Sequence, residues 1–124
     1  MRRAPSQGDR WSGQIGFPGG RRQSSETDIE AAVREVFEET GLSLGDRRQF
    51  SWVGRMNDIN VEPFKKVKPL AVATFVFVQL TPVTPPMTLS VAEAAKIIWT
   101  PTDVFGIDTG SSYQVPRSAL SYAQ

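Results

Sequence analysis

The sequence contains neither cysteine nor histidine. No disulfide can brace it, and no thiolate or imidazole is available as nucleophile, general base or soft-metal ligand. Any catalysis has to run on carboxylates, basic side chains, water and hard cations. Long apolar runs are missing too: nothing approaches the roughly 18 residues of a membrane span, and there is no apolar signal-peptide core. The expected compartment is therefore intracellular, the cytoplasm first, with mitochondrion and peroxisome as alternatives. A net charge of +1 demands neither a nucleic-acid polymer nor an anionic membrane as partner. With 124 residues, 40% of them hydrophobic, the chain can bury one core, and a single domain over residues 1–124 is expected.

What the chain does have is a concentration of carboxylates in one short stretch, Gly20 to Leu42 (GRRQSSETDIEAAVREVFEETGL). Thr27-Asp28-Ile29-Glu30 reads as a capping box, and Gly41 as a left-handed stop, which predicts a helix over residues 28–40. At about 100° per residue, Ile29, Val33, Val36, Phe37 and Thr40 gather on one side. Glu35, Glu38 and Glu39 gather on another, with Asp28 nearby. Their i,i+3 and i,i+4 relations bring these acids within about 5–6 Å at Cβ. Like charges so placed repel, so a positive partner is expected beside them. A solvated acidic face is the bland alternative. The flanking Gly19-Gly20 pair, Arg34 and the Gly41 stop favour a divalent-cation site. An all-oxygen donor set suits Mg²⁺ or Mn²⁺, which keep several waters and bridge to substrate phosphates.

The sign of charge is uneven elsewhere. Arg2, Arg3, Arg10, Arg21 and Arg22 crowd the first segment, and Lys65, Lys66 and Lys68 form a second cluster. Such residues suit a polyphosphate substrate, with surface solvation as the alternative. Residues 14–17 read as a short strand, 18–20 as a loop, 50–53 as a strand and 57–66 as a polar loop. Residues 67–80, rich in β-branched and aromatic side chains, read as one long strand. Pro82, Pro85 and Pro86 mark a loop over 81–88. Residues 97–99 read as a strand and 101–105 as a helical turn, with a weakly patterned tail beyond Gly106.

Written as spacing, the acidic stretch is G-x5-E-x7-R-E-U-x-E-E-x-G-U, where U is a bulky aliphatic residue. Every fixed position of the Nudix box is filled, and the chain resembles a Nudix hydrolase. Gly13 to Gly20 is similar to the G-x3-F-P-G-G element of coenzyme A diphosphatase-type members. Glu93 to Pro101 resembles their E-x5-W-x-P segment, and Val67-Lys68-Pro69 their V-x-P strand start. The resemblance covers roughly residues 10–105. Arg10 stands near an expected upstream Arg, one residue closer to Gly13 than the pattern has it.

The resemblance implies an α/β (α+β) fold, a Nudix-type α/β/α sandwich with a mixed sheet. An apolar strand ahead of the Gly-Gly loop and a W-G-x-T helix after the tail are missing from the pattern. A fold lacking its first strand and last helix is expected, with an unpaired edge that a homodimer would cover. The resemblance also implies roles. Glu35, Glu38 and Glu39 correspond to metal-binding carboxylates, and the Gly19 carbonyl to a main-chain ligand. Glu26 closes the cluster, through a water on the metal or by pairing Arg34. Arg34 orients the glutamates. Glu35 and Glu93 are the candidate general bases. Arg10, Arg21 and Arg22 are candidate phosphate contacts. Phe17 is a candidate substrate contact, with a core or pocket-wall role as the alternative for it and Trp99. The implied activity is Mg²⁺- or Mn²⁺-dependent cleavage of a nucleoside diphosphate linked to X, with coenzyme A or its derivatives first. ADP-sugars, dinucleotides or damaged nucleotides are the second reading. A silent nucleotide- or partner-binding domain is the third.

Overall fold

The capping residues delimit the longest element. In a computed structural model, which describes residues 1–8, 12–61 and 70–102, helix α1 spans Asp28–Thr40. The Thr27 hydroxyl accepts the Glu30 N–H, and the Glu30 carboxylate accepts the Thr27 N–H at 2.8 Å, so both halves of the capping box form. At the other end Gly41 takes φ 76°, and its N–H donates to the Phe37 carbonyl at 2.8 Å. A side chain there would be strained, and its Cβ would meet the Thr88 nitrogen at 2.9 Å.

Among the described residues there are six short strands: β1 (Arg2–Arg3), β2 (Phe50–Arg55), β3 (Ile59–Val61), β4 (Leu70–Val72), β5 (Phe75–Gln79) and β6 (Ala94–Lys96). The α+β class is as expected. Among the described residues the strands pair as three antiparallel ladders, β1–β6, β2–β5 and β3–β4. No helix among them is long and apolar enough to cross a membrane.

Several elements differ from the sequence reading, for reasons of pairing. The expected strand at 14–17 reduces to one bridge, Ile15 with Arg2. Residues 1–4 are held on both sides: the Arg3 N–H donates to the Gln14 carbonyl and the Ala4 N–H to the Glu93 carbonyl, both at 2.9 Å. With the pairing to Ala94–Lys96, these bonds make Arg2–Arg3 a two-residue strand. That pairing also sets β6 at Ala94–Lys96, not at the more apolar 97–99. The polar segment 57–66 contains β3, because Ile59 and Val61 pair across to Val72 and Leu70. The long strand is divided between Val72 and Phe75, since its halves serve different partners: β4 pairs with β3, β5 with β2. Residues 62–69, 103–105 of the expected turn, and the tail lie outside the described residues.

Among the described residues the buried apolar side chains are Ala4, Ala31, Phe50 and Ala94 with Met1. The helix turns Ala31, Glu39 and Thr40 inward, while Phe37 on the apolar stripe stays 56% exposed. The physical reason lies at the helix end. Thr88 N–H donates to the Thr40 carbonyl at 2.9 Å and Ser90 N–H to the Glu39 carbonyl at 3.1 Å. Segment 88–90 thus satisfies two terminal carbonyls and docks on the Glu39 side of the helix.

Candidate metal centre

Two glycines let the loop before the helix lie against the acids. A Cβ at Gly20 would sit 2.5 Å from the Glu35 carboxylate, so a side chain there would displace that carboxylate. Beside it, the Gly19 N–H donates to Glu39 Oε2 at 2.9 Å. The close approach of backbone to carboxylate accounts for Gly20, whereas Gly19 has open space beside it and takes φ 153°, in the region that favours glycine.

Arg34 is the positive partner that the repulsion called for. Its Nε donates to Glu26 Oε1 at 2.5 Å and its Nη2 to Glu26 Oε2 at 3.2 Å, a two-pronged fork. Nη1 reaches both Glu35 Oε1 and Glu38 Oε2, each at 2.8 Å. Nη2 also meets the Arg21 carbonyl at 3.2 Å, which ties the loop to the helix. One guanidinium therefore organises three carboxylates and a main-chain oxygen. Hydrogen bonding by Arg34, then by the Gln23 N–H, holds the Glu26 carboxyl below its ordinary range. The Arg34 guanidinium is correspondingly raised, by Glu26 first and Glu35 second.

Glu39 is different. It is only 3% exposed. Burial pushes its carboxyl up, the Gly19 N–H opposes that, and the neighbouring charges of Glu35 and Glu93 add to the rise; Arg3 pulls it back. A buried carboxylate that feels two other acids is a group whose charge a nearby cation would relieve. Glu93 reaches this neighbourhood through its backbone. The Ser90 carbonyl accepts the Glu93 and Ala94 N–H groups at 3.0 and 2.7 Å, and Ser90 itself is bonded to the helix end.

The three box glutamates thus lie on one side of α1 but not as a ready ligand set. Glu35 and Glu38 turn to Arg34, and Glu39 to Gly19. Among the described residues no three carboxylates converge on one point. Both Glu26 oxygens are taken by Arg34 and the Gln23 N–H, so this residue makes the Arg34 pairing that was one of its two expected roles. Gly19 presents its N–H to Glu39.

The remaining sequence candidates are scattered around this centre. Arg22 pairs with Asp28 at 3.2 Å and donates to the Glu26 carbonyl at 2.7 Å, bracing the helix start. Arg21 contributes its carbonyl to Arg34. Phe17 is 77% exposed and Trp99 66%, so neither is core. Arg10 lies outside the described residues. A groove of about 450 Å³ runs along the apolar stripe between Ile29, Val33, Phe37 and the Ser43–Gly45 turn, and it shares Arg34 with the fork.

Sequence reasoning passed over Arg55 and Asp58. Arg55 at the end of β2 pairs with Asp28 at 3.1 Å and with both Asp58 oxygens at 2.8 Å. It fastens the start of α1 to the β2–β5 ladder. The Arg-x-x-Asp spacing at 55–58 was the available signal, but a local pair of that kind says nothing about its long-range partner.

The NUDIX domain family model matches residues 1–117. The chain belongs to the Nudix family. An uncharacterized protein of Schizosaccharomyces pombe, C14C4.10c, is 32% identical over 95 residues, which is 75% of this chain and 28% of the relative. The aligned part of this Nudix chain thus spans little more than a quarter of that relative's length. No solved structure matches. Within the family, the box acids and the Arg34 fork occupy the segment that gives the family its signature.

Proposed function

We propose that this Nudix domain is a Mg²⁺- or Mn²⁺-dependent diphosphatase acting on a nucleoside diphosphate linked to X. The observation that carries the reading is the grouping of Glu35, Glu38 and Glu39 on one side of α1, with Gly19 and Gly20 packed against them. The donor set fits a hard divalent cation: all oxygen, with one carboxylate buried and raised by burial. Glu35, Glu38 and Glu39 would hold it, with the Gly19 main chain beside them. A bound cation there supplies charge neutralisation on the diphosphate and acidifies the attacking water.

The chain's own residues do the rest. Glu35 or Glu93 accepts a proton from the water as its oxygen attacks phosphorus. The bond from that phosphorus to the bridging oxygen breaks, and the departing phosphate keeps the electron pair. Arg34 is a positioning residue, setting the rotamers of Glu35 and Glu38. Arg10, Arg21 and Arg22 are the proposed phosphate contacts, Arg22 after exchanging its Asp28 partner.

Coenzyme A or a derivative is the proposed substrate, giving 3′,5′-ADP and 4′-phosphopantetheine. The segments Gly13 to Gly20 and Glu93 to Pro101 support it, through their similarity to coenzyme A diphosphatase-type sequences. The test is product analysis with purified protein, Mg²⁺ or Mn²⁺, and coenzyme A, ADP-ribose, NADH and diadenosine polyphosphates, beside Glu38→Gln. Metal-dependent cleavage of coenzyme A, reduced at least about 100-fold in Glu38→Gln, is expected. Cleavage of another member of the panel keeps the hydrolase and removes the coenzyme A assignment. No cleavage by folded protein overturns the reading.

A further inference from the structure

The β2–β5 ladder carries an aromatic surface that the proposed chemistry leaves unused. Trp52 stands opposite Phe77 and Arg55 opposite Phe75, with a register shift between Trp52 and Gly54. Residues three apart on a regular strand point to opposite faces. The extra residue at the shift puts Trp52 and Arg55 on the same face as Phe75 and Phe77. There the Trp52 and Phe75 rings lie 6.4 Å apart at 56°, and the Arg55 guanidinium sits 5.5 Å from the Phe75 centroid. Trp52 is still 54% exposed.

We propose that Trp52, supported by Phe75 and Arg55, is a stacking subsite for the planar base of a nucleotide, an inference that rests on the nucleoside diphosphate reading above. Three observations carry it. First, the platform is held in place: Asp58 grips the Arg55 guanidinium with both oxygens, and Asp28 takes its third nitrogen. Second, it is joined to the acid centre by a continuous run of contacts, from Arg55 to Asp28, Arg22, the Glu26 carbonyl and Arg34. Third, Asp28, which anchors the platform's arginine, opens the same helix that carries the acids, and at 1.5 Å per residue Glu35 and Glu38 stand about 10 and 15 Å further along its axis. Stacking on an aromatic side chain is favourable for any base, because every base presents a π-face.

Calorimetric titration of the full chain with AMP and with ribose 5-phosphate tests this, since the two share a phosphate and differ by the base. The expected result is a preference for AMP of roughly 5- to 150-fold, the range that one stacked base supplies. Trp52→Leu, which keeps an apolar side chain but removes the ring, is expected to erase that preference and leave ribose 5-phosphate binding unchanged; Trp52→Phe is expected to keep most of it. Equal binding of the two ligands by wild-type protein overturns the subsite, as does an undiminished preference in folded Trp52→Leu. If Trp52→Leu does not fold, the wild-type comparison and Trp52→Phe decide. The two readings fail separately. A base preference in protein that cleaves nothing keeps the subsite and removes the hydrolase, whereas cleavage with no base preference does the reverse.

Discussion

The acidic side of α1 and the β3–β4 ribbon are opposite solutions to a shortage of core. On α1, charged groups substitute for apolar packing. Arg34 gathers Glu26, Glu35 and Glu38, the capping box closes the first turn, and segment 88–90 closes the last. On the ribbon, Ile59, Val61, Leu70 and Val72 share one face by their register, and all four are exposed. Polar bonding holds the region with the chemistry, and apolar surface is left over where none is evident. Among the described residues, order follows directional contacts more than buried area, since the buried apolar side chains there are mostly alanines.

That contrast can be broken most severely at Arg34. Arg34→Met leaves three carboxylates facing one another with no guanidinium between them. It is expected to give the largest fall in melting temperature of any single change considered, partly recovered at high salt as the repulsion is screened. Arg34→Lys is expected to recover little, because an ammonium cannot make the two-pronged bond to Glu26 and also span Glu35 and Glu38. Thermal unfolding followed by circular dichroism checks both. A loss no greater for Arg34→Met than for an exposed control would dissolve the contrast. At the other extreme, Ile59→Thr on the ribbon is expected to change stability by no more than about 0.5 kcal/mol by chemical denaturation, because the side chain is already in solvent. A clearly larger loss would mean that the ribbon face is covered in solution.

The same contrast explains which parts were legible in the sequence. Helix α1 was readable to the residue, because its signals are local: Thr27 and Glu30 cap each other, and Gly41 takes the φ that other residues avoid. The acid grouping and the need for a counter-charge followed from helical spacing alone. What could not be read was where each carboxylate turns. Glu35 and Glu38 share one nitrogen of Arg34, and Glu39 alone goes inward, because a loop 20 residues earlier offers it an N–H. Strands were harder for a related reason. Ala94–Lys96 is a strand by virtue of its partner Arg2–Arg3, while the more β-prone residues 97–99 have no such partner among the described residues. The platform at Trp52 and Arg55 depends on one extra residue in β2, which no periodicity reveals.

Glu39 is where the two themes meet, since it is buried like a core residue and charged like a ligand. Its carboxyl is raised, chiefly by burial, so the folded protein holds that proton more tightly than the unfolded chain does. Stability from this group is therefore present at low pH and declines as pH rises from the unfolded value near ~4.3 through the raised folded value. At neutral pH the ionised form is a cost that a cation would remove. The most direct measurement is thermal unfolding at pH 7 of wild-type and Glu39→Gln protein across a Mn²⁺ titration. Without Mn²⁺, Glu39→Gln is expected to melt higher than wild type. With Mn²⁺, the wild-type melting temperature is expected to rise with added metal while the variant stays nearly flat. A wild-type curve indifferent to Mn²⁺, or equal rises in both proteins, would contradict a cation site built on the box glutamates.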